Sequence, residues 1–567
     1  MTALAHSEAL DVGAEVAAAR VELFGGAPSA AAQRLQKVTA REPDLLALYW
    51  LAAALGATGD WQGHRAALND ASTRHALGLI QNSKGDLQRL QKEPAYAEMV
   101  GDAFYAKGHV AIAAKAFGIA NLGRTPSTLS MIKHGLALQH QGRIDEAVSV
   151  FQTVCDMTPN APGARSFLLY SLFFAQDGVR RHAEEAARWS KIYAGVPSRS
   201  PDFFTNPPLE GRRLRIGYVA PAVHSTQLRQ FLWPVLESHD REHVAVHLYV
   251  DETSEEPAET IRVTAGLSDE AVAKMIEDDQ IDVLIDLWGH TARGRLGVFA
   301  RKPAPVTVSW MNYVQTTGLP AMDYLIHPQW IEGPDAQASC VEKIWNIGPV
   351  MSLFRPDERP PTSPTPAKAA GYVTFGSYNQ PSRLNDGTIA AWAGILKRAP
   401  GSKLLLRYRY YADQVLQNIT LMRFAAHGVE PERILFRGHI TQPDYYASYA
   451  EIDLALDPSP CPGGTTSCDA IANGVPVLTL AGDDYYSRIG VCAVGPLGLD
   501  QLTTYSWDEY IDRAVELTAD VEALDALRRQ VRERFDQSEM RNEAGFGRRI
   551  EEAFTQMFNL WIADRAA

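Results

Sequence analysis

The stretch IDLALDPSPCPGGTTSCDAIANGVPVLTL (452–480) carries the densest set of groups suited to holding an anion. An apolar strand ends at Asp457, a Pro/Gly-rich loop follows, and a short helix is expected to begin near Thr465–Thr466 and to stop at Gly474. A helix start offers backbone N–H groups and the positive end of the helix dipole to a phosphate. Thr465 and Asp469 stand four residues apart, so a hydroxyl suited to a phosphate oxygen and a carboxylate suited to a pair of sugar hydroxyls point the same way. The same letters allow a plainer reading, in which Thr466-x-x-Asp469 is a capping box with Asp in place of Glu and Gly463–Gly464 serve the turn alone.

A second group follows the strand in VTFGSYNQPSRLNDGTIAAW (373–392), where Asn379, Gln380 and Arg383 occupy the loop and a helix is expected from about Thr388. A guanidinium there can grip a pyrophosphate with two charge-assisted hydrogen bonds and stabilise the charge that develops on a departing nucleotide. A surface arginine is the alternative. A third group lies in the loops YVAPAVHSTQLRQF (218–231), DLWGHTARGR (286–295) and NYVQTTGLPAMDY (312–324). His224 and His290 each follow a strand, and imidazole is the side chain suited to take a proton near neutral pH, although a lone histidine is more often structural.

Metal chemistry has little support in the chain, which holds no Asp-x-Asp and no His/Cys cluster at ligand spacing. A diphosphate would then be neutralised by side chains and helix starts, with Arg383 foremost, and no cofactor is expected. The 567 residues carry 54 basic and 67 acidic side chains, a net charge of −13 that argues against nucleic acid as a partner. No basic-then-apolar leader and no run of about 18 apolar residues is present, so a cytoplasmic protein without a membrane partner is expected. Five cysteines without a CxxC favour reduced thiols.

These groups need elements to position them. The first 190 or so residues are rich in Ala, Leu and Glu at helical spacing, and Gly101, Gly108, Ala113 and Phe117 recur as Gly135, Gly142, Ala147 and Phe151, 34 residues on. That period belongs to the tetratricopeptide helix–turn–helix, in which a small residue lets two helices approach and a glycine opens the turn. A degenerate copy with Ala52, Gly59 and Trp61 precedes it, another with Leu169, Gly178 and Ala183 follows, and residues 78–93 break the phase with a long helix or a loop. A plain helical bundle is the alternative. After a Pro/Ser/Arg-rich linker, β-branched runs at 213–221, 243–250, 281–287 and 305–313, then 371–378, 402–408, 433–438, 452–457 and 476–481, alternate with helical stretches. Strands alternating with helices imply parallel sheets built of right-handed crossovers. The expected organisation is a repeat domain over 1–193, a linker over 194–211, an N-terminal α/β half over 212–360 and a C-terminal α/β half over 361–567. The two doubly wound halves face one another in the GT-B manner, with the ligand beyond their strand ends.

On RIGYV (215–219), VFARKPAPV (298–306), TTGLPAMDY (316–324), AAWAGILKRAPGSKLLL (390–406), DPSPCPGGTTSCDAIANGVPV (457–477) and GDDYYSRIG (482–490), the chain resembles the SPINDLY/O-linked N-acetylglucosamine transferase family. The resemblance spans about residues 90–555. It implies a metal-independent, inverting GT-B transferase that moves a sugar from a nucleotide donor to Ser or Thr of a protein held by the repeats. It places donor phosphate and ribose at Thr465, Thr466 and Asp469, sets Gln380 beside the donor, and puts Arg383 where the family usually has a diphosphate-binding Lys. Gly464 and the Thr316–Thr317 pair complete the donor-binding candidates, and His224, His290 and Arg383 are the catalytic ones.

The departures from the family pattern fall on this same machinery. HSTQLRQ stands for the His-Pro motif, with Thr226 at the histidine position and His224 two residues earlier; YVQTTG stands for Tyr-Pro-Gly-Thr-Ser/Thr-Gly, with Val314 and Gln315 replacing Pro-Gly; Gly464 replaces a His, and Gln442 stands near a base-contacting Lys. The layout is similar to bacterial flagellin glycosyltransferases that use CMP-activated pseudaminic or legionaminic acid, whose extra carboxylate suits a forked Arg. A CMP-nonulosonic acid donor and flagellin as acceptor are therefore the leading expectation, with UDP-N-acetylglucosamine as the alternative. Two other readings stay open: a non-catalytic repeat scaffold or chaperone, and a transferase for a small-molecule or glycan acceptor whose repeats serve oligomerisation.

Overall fold

The computed structural model describes residues 11–566 other than 124–125, 194–195, 197, 222–225, 253–256, 332–335 and 484–485. All nine expected strands form, and they belong to two parallel sheets of seven and six strands. The first sheet comprises β1 (Leu214–Val219), β2 (Val244–Val250), β3 (Thr260–Val263), β4 (Val283–Asp286), β5 (Val306–Ser309), β6 (Tyr324–His327) and β7 (Lys343–Asn346), in the order β3-β2-β1-β4-β5-β6-β7. Register runs Ile216↔Val246, Ile216↔Val283, Val283↔Val306 and Leu325↔Ile344. The order reverses between β1 and β4, where an open parallel sheet binds its ligands, and the loop leaving β4 carries His290. The second sheet comprises β8 (Thr374–Ser377), β9 (Lys403–Arg407), β10 (Ile434–Arg437), β11 (Leu454–Leu456), β12 (Val477–Leu480) and β13 (Thr503–Thr504), its halves ordered β10-β9-β8 and β11-β12-β13.

The chain forms two compact units. One combines residues up to 150 with 367–441 and 514–516. Its helices pair as the repeat requires, Leu45–Ala57 with Trp61–Asn82 and Pro94–Ala106 with Val110–Ala120, after a leading pair Val12–Phe24 and Pro28–Arg41, and Thr128–Gln139 packs on Val110–Ala120. The turn glycines Gly59, Gly108 and Gly142 adopt φ of +89°, +82° and +79°, a conformation that side chains resist. Gly101 is the small residue at a helix crossing, because a Cβ there would come within 2.5 Å of the Phe117 ring. Phe117 and Phe151 are fully buried, each contributing about 1.5–3 kcal/mol of apolar burial. The extra residues near 78–93 resolve into the end of the 22-residue helix Trp61–Asn82 and a short helix, Leu87–Lys92, capped by Asp86. In the same unit β8, β9 and β10 are joined by helices Asp386–Arg398 and Gln414–Ala426, and Met422 and Ala425 of the latter share a core with Leu48, Tyr49 and Trp50 of the repeats.

The other unit takes in residues 151–366, 442–513 and 517–567. Helices Pro162–Leu172 and Gly178–Lys191 lie on the first sheet, with Leu169, Ala186 and Trp189 in one core with Ile281, Leu284, Phe299 and Leu319. The last helix, Glu543–Ala566, stacks Phe546 on Trp310 and pairs Glu551 with His239 of the loop after helix Thr226–Ser238.

Candidate functional site

The sequence candidates fall into three local groups, with His224 lying outside the described residues. The first is built on β11. Asp457, just past that strand, is buried, and its Oδ1 accepts from the Gly463 N–H at 3.1 Å and the Ser467 Oγ at 2.7 Å, folding the loop back on itself. A Cβ on Gly463 would lie 2.3 Å from Ser467 Oγ and 2.9 Å from Thr466 Oγ1, so this loop closes only around a glycine. Helix Thr465–Ala472 then starts with Gly464 as its N-cap residue, which brings no capping side chain. The capping-box alternative is therefore not realised, since Thr466 lies inside the helix rather than at its cap.

Gly464, Thr465 and Thr466 are half-buried at the helix start, and Asp469 sits one turn further along at 4% exposure. Its Oδ2 accepts the Tyr445 hydroxyl at 3.1 Å, while Oδ1 has no hydrogen-bond partner. Burial pushes its carboxyl up to about 7, against the pull of the Tyr445 and Tyr446 hydroxyls. Tyr446 in turn accepts from Gln230 Nε2 at 2.6 Å. Sequence reasoning missed these tyrosines; the signal is the run PDYYASYAEIDLALD, which sets three rings on one short helical segment beside Asp469.

The second group is a hydrogen-bonded network on the first sheet. At the end of β4, Asp286 accepts from the Trp288 and Gly289 N–H groups at 3.1 and 2.9 Å, and its own burial pushes its carboxyl up to about 6. Gly289, at φ +54°, lies against the Tyr313 ring. His290 follows, fully enclosed: its Nε2 lies 2.8 Å from the Thr317 carbonyl oxygen, an atom that only accepts, so Nε2 carries the proton and Nδ1 the lone pair, facing Ser166 Oγ at 3.4 Å. Trp189, Tyr313 and His182 surround the ring, and burial pulls its pKa down to about 4. His290 is neutral at physiological pH. Thr316 and Thr317 direct their hydroxyls to a carboxylate that sequence reading overlooked, Glu342, at 2.6 and 2.5 Å, and the Thr317 N–H adds a third bond at 2.7 Å. Glu342 is fully buried, which raises its pKa, and its only trace in the sequence is a lone acid just ahead of β7. Beside this network Phe173 stacks on Tyr486 and on His182, at 4.4 and 5.2 Å between centroids, and His182 Nε2 is hydrogen-bonded to the Tyr313 hydroxyl.

The third group is the loop leaving β8. Gln380 and Arg383 share one half-buried 3-10 turn, closed by the Arg383 N–H to the Gln380 carbonyl at 3.0 Å and the Leu384 N–H to that of Pro381 at 3.0 Å. Asn385 then caps the next helix through the Thr388 N–H at 2.8 Å, so that helix starts at Asp386, two residues before the expected position. Among the described residues no cluster of three His, Cys, Asp or Glu side chains could hold a metal ion.

All three groups fall within a single family signature. The model for glycosyl transferase family 41 matches residues 181–345 and 365–549. The chain belongs to glycosyl transferase family 41. A family relative, the rice (Oryza sativa subsp. japonica) "Probable UDP-N-acetylglucosamine--peptide N-acetylglucosaminyltransferase SPINDLY", is 30% identical over 432 residues, covering 72% of this chain and 46% of the relative. The SEC protein of Arabidopsis thaliana, whose name carries the same activity, is 28% identical over 62% of this chain and 37% of its own length. The chain thus spans less than half the length of these plant proteins. The structure of a mutant Thermobaculum terrenum O-GlcNAc transferase superposes with a TM-score of 0.75 at 25% identity, covering 99% of this family 41 chain and all of that one. The fold expected from the sequence, tetratricopeptide repeats followed by a GT-B pair of sheets, is borne out. No helix among the described residues is long and apolar enough to cross a membrane.

Proposed function

We propose that the chain is a protein O-glycosyltransferase that takes its sugar from UDP-N-acetylglucosamine. The observation that carries this reading is Asp469: a carboxylate 4% exposed, with an unpartnered Oδ1, one turn inside a helix whose cap residue has no side chain. An unsatisfied buried acceptor costs about 1–3 kcal/mol, and the adjacent hydroxyls of a ribose supply the donors it lacks. Thr465, Thr466 and the helix start then face the phosphates, and the Arg383 guanidinium stabilises the departing nucleoside diphosphate. In the transfer step the acceptor hydroxyl oxygen bonds to the anomeric carbon, the bond from that carbon to the phosphate oxygen breaks, the nucleoside diphosphate leaves with its electron pair, and the hydroxyl proton passes to water. The repeats would hold the acceptor protein on their concave face. The relatives' names support a UDP-N-acetylglucosamine donor over the CMP-nonulosonic acid expected from the sequence, and none of them names flagellin.

Calorimetric titration of UDP, CMP and GDP into the chain and into Asp469→Asn tests this. UDP should bind and the variant should weaken it at least tenfold. Because burial raises the folded-state pKa of Asp469 from 3.8 to about 7, its carboxylate penalises folding progressively as pH rises through that interval, so Asp469→Asn should unfold at the same or a higher temperature at pH 7.5. Tighter binding of CMP than of UDP would restore the nonulosonic acid donor. If no nucleotide binds, the chain is a scaffold and the enzymatic reading fails.

A further inference from the structure

Gly142, singled out in the sequence only as a repeat residue, meets the loop that presents Arg383. It sits in the turn between helices Thr128–Gln139 and Ile144–Met157. A Cβ at this position would stand 2.8 Å from the Pro381 carbonyl oxygen and 3.4 Å from that of Leu384. Both are backbone atoms, so a side chain here can be accommodated only by moving the turn. The Pro381 carbonyl is the acceptor that closes the turn, taking the Leu384 N–H at 3.0 Å. The far end of the same loop is held as well: Arg423, whose Nη1 lies 3.7 Å from the Gly142 position, bonds Asp386 Oδ1 through Nη2 at 2.8 Å. The other repeat turns provide internal contrasts. Gly59 has the same left-handed backbone with open space around it, and Gly108 meets the Arg409 carbonyl only at 3.4 Å.

We propose that Gly142 is a positioning residue for Arg383: the close approach of this repeat turn sets the 381–386 loop, so that the state of the repeats bears on the stabilisation of the leaving diphosphate. This rests on the role given to Arg383 above. Gly142→Ala and Gly59→Ala carry the same backbone strain, which Gly59→Ala measures alone, and Gly142→Ala should lose more thermal stability because its Cβ also meets the Pro381 carbonyl. Only Gly142→Ala should speed hydrogen exchange across residues 379–386 and lower kcat for UDP-N-acetylglucosamine turnover about tenfold. Combined with Arg383→Ala it should add no further loss, because both act on one group. Asp386→Ala, a change at an exposed side chain that releases the other end of the loop, should show the same pattern more weakly and serves if Gly142→Ala folds poorly. Unchanged exchange at 379–386, or losses that multiply in the double variant, would overturn the coupling while Arg383→Ala stays slow. Wild-type turnover in Arg383→Ala alone would instead bring down the leaving-group role of Arg383, and the catalytic part of this proposal with it.

Discussion

Asp413 accepts the backbone N–H of Ala111 at 2.7 Å, across 302 residues of chain. Helix Val110–Ala120 has His109 at its N-cap with no capping side chain, so the carboxylate of a distant residue supplies the missing cap. The other oxygen of Asp413 caps its own helix through the Val415 and Leu416 N–H groups, at 2.9 and 3.4 Å. One buried side chain thus joins a repeat helix to the helix that follows β9. Asp413→Ala removes one cap and orphans a second N–H, so it should cost about 3 kcal/mol. Asp413→Asn keeps an acceptor on one side and should cost about 1 kcal/mol. The urea midpoint at constant slope measures both.

His290 should leave a mark on stability rather than on the neutral-pH rate profile. Its folded-state pKa of about 4 lies below the unfolded value of 6.5, so the stability tied to its neutral form is fully present above pH 6.5 and is lost as pH falls towards 4. The gap corresponds to about 3 kcal/mol. His290→Gln, whose amide can still donate to the Thr317 carbonyl, should flatten the fall in stability between pH 7 and pH 4.5 by most of that amount. In the wild type, the pH profile of kcat should show no inflection between pH 6 and 8 attributable to this ring. An ionisation in that window that disappears in His290→Gln would show that the ring is open enough to exchange protons with solvent.

The engagement of Thr316 and Thr317 with Glu342 gives a third outcome. Glu342→Ala strands two hydroxyls and an N–H in the interior and should destabilise by about 3 kcal/mol or more. Thr317→Val should lower the urea midpoint by the equivalent of about 1–2 kcal/mol, because the hydroxyl it removes is bonded within the protein. Its donor KM should stay within about twofold of wild type. A tenfold rise in KM with unchanged stability would return that hydroxyl to the donor.

The repeat and the nine strands were legible because both are periodic: a 34-residue recurrence of Gly, Ala and Phe, and apolar runs long enough to be buried on both faces of a parallel sheet. The strands that escaped are short or lie at edges. β3 and β7 are edge strands with exposed or half-exposed residues throughout, β13 has two residues, and β6, an interior strand, has a buried run of only three, too short to stand out from its flanking loops. The helix at Thr465 and the turn at Arg383 were readable from their glycines and prolines. What pairs with what was not. Nothing in the letters says that the Thr316–Thr317 pair meets Glu342, or that the proton of His290 faces a carbonyl, since partners 25 or more residues apart are decided by packing. The resemblance to O-linked N-acetylglucosamine transferases supplied the family correctly. The departures from its motifs, taken alone, pointed to a donor that the relatives' names do not support.

The spacing of the turn glycines also limits how such an arm can vary in length. A Cβ at Gly108 or Gly142 would meet a particular backbone carbonyl, of Arg409 or of Pro381, whereas one at Gly59 would meet nothing within 4 Å. A 34-residue unit inserted between Gly108 and Gly142 would carry one of these turns off its seat, while a unit added ahead of Val12 would leave both in register. Lineages that gain or lose repeats should therefore do so ahead of the helices that share a core with Met422 and Ala425, and not between the docked turns.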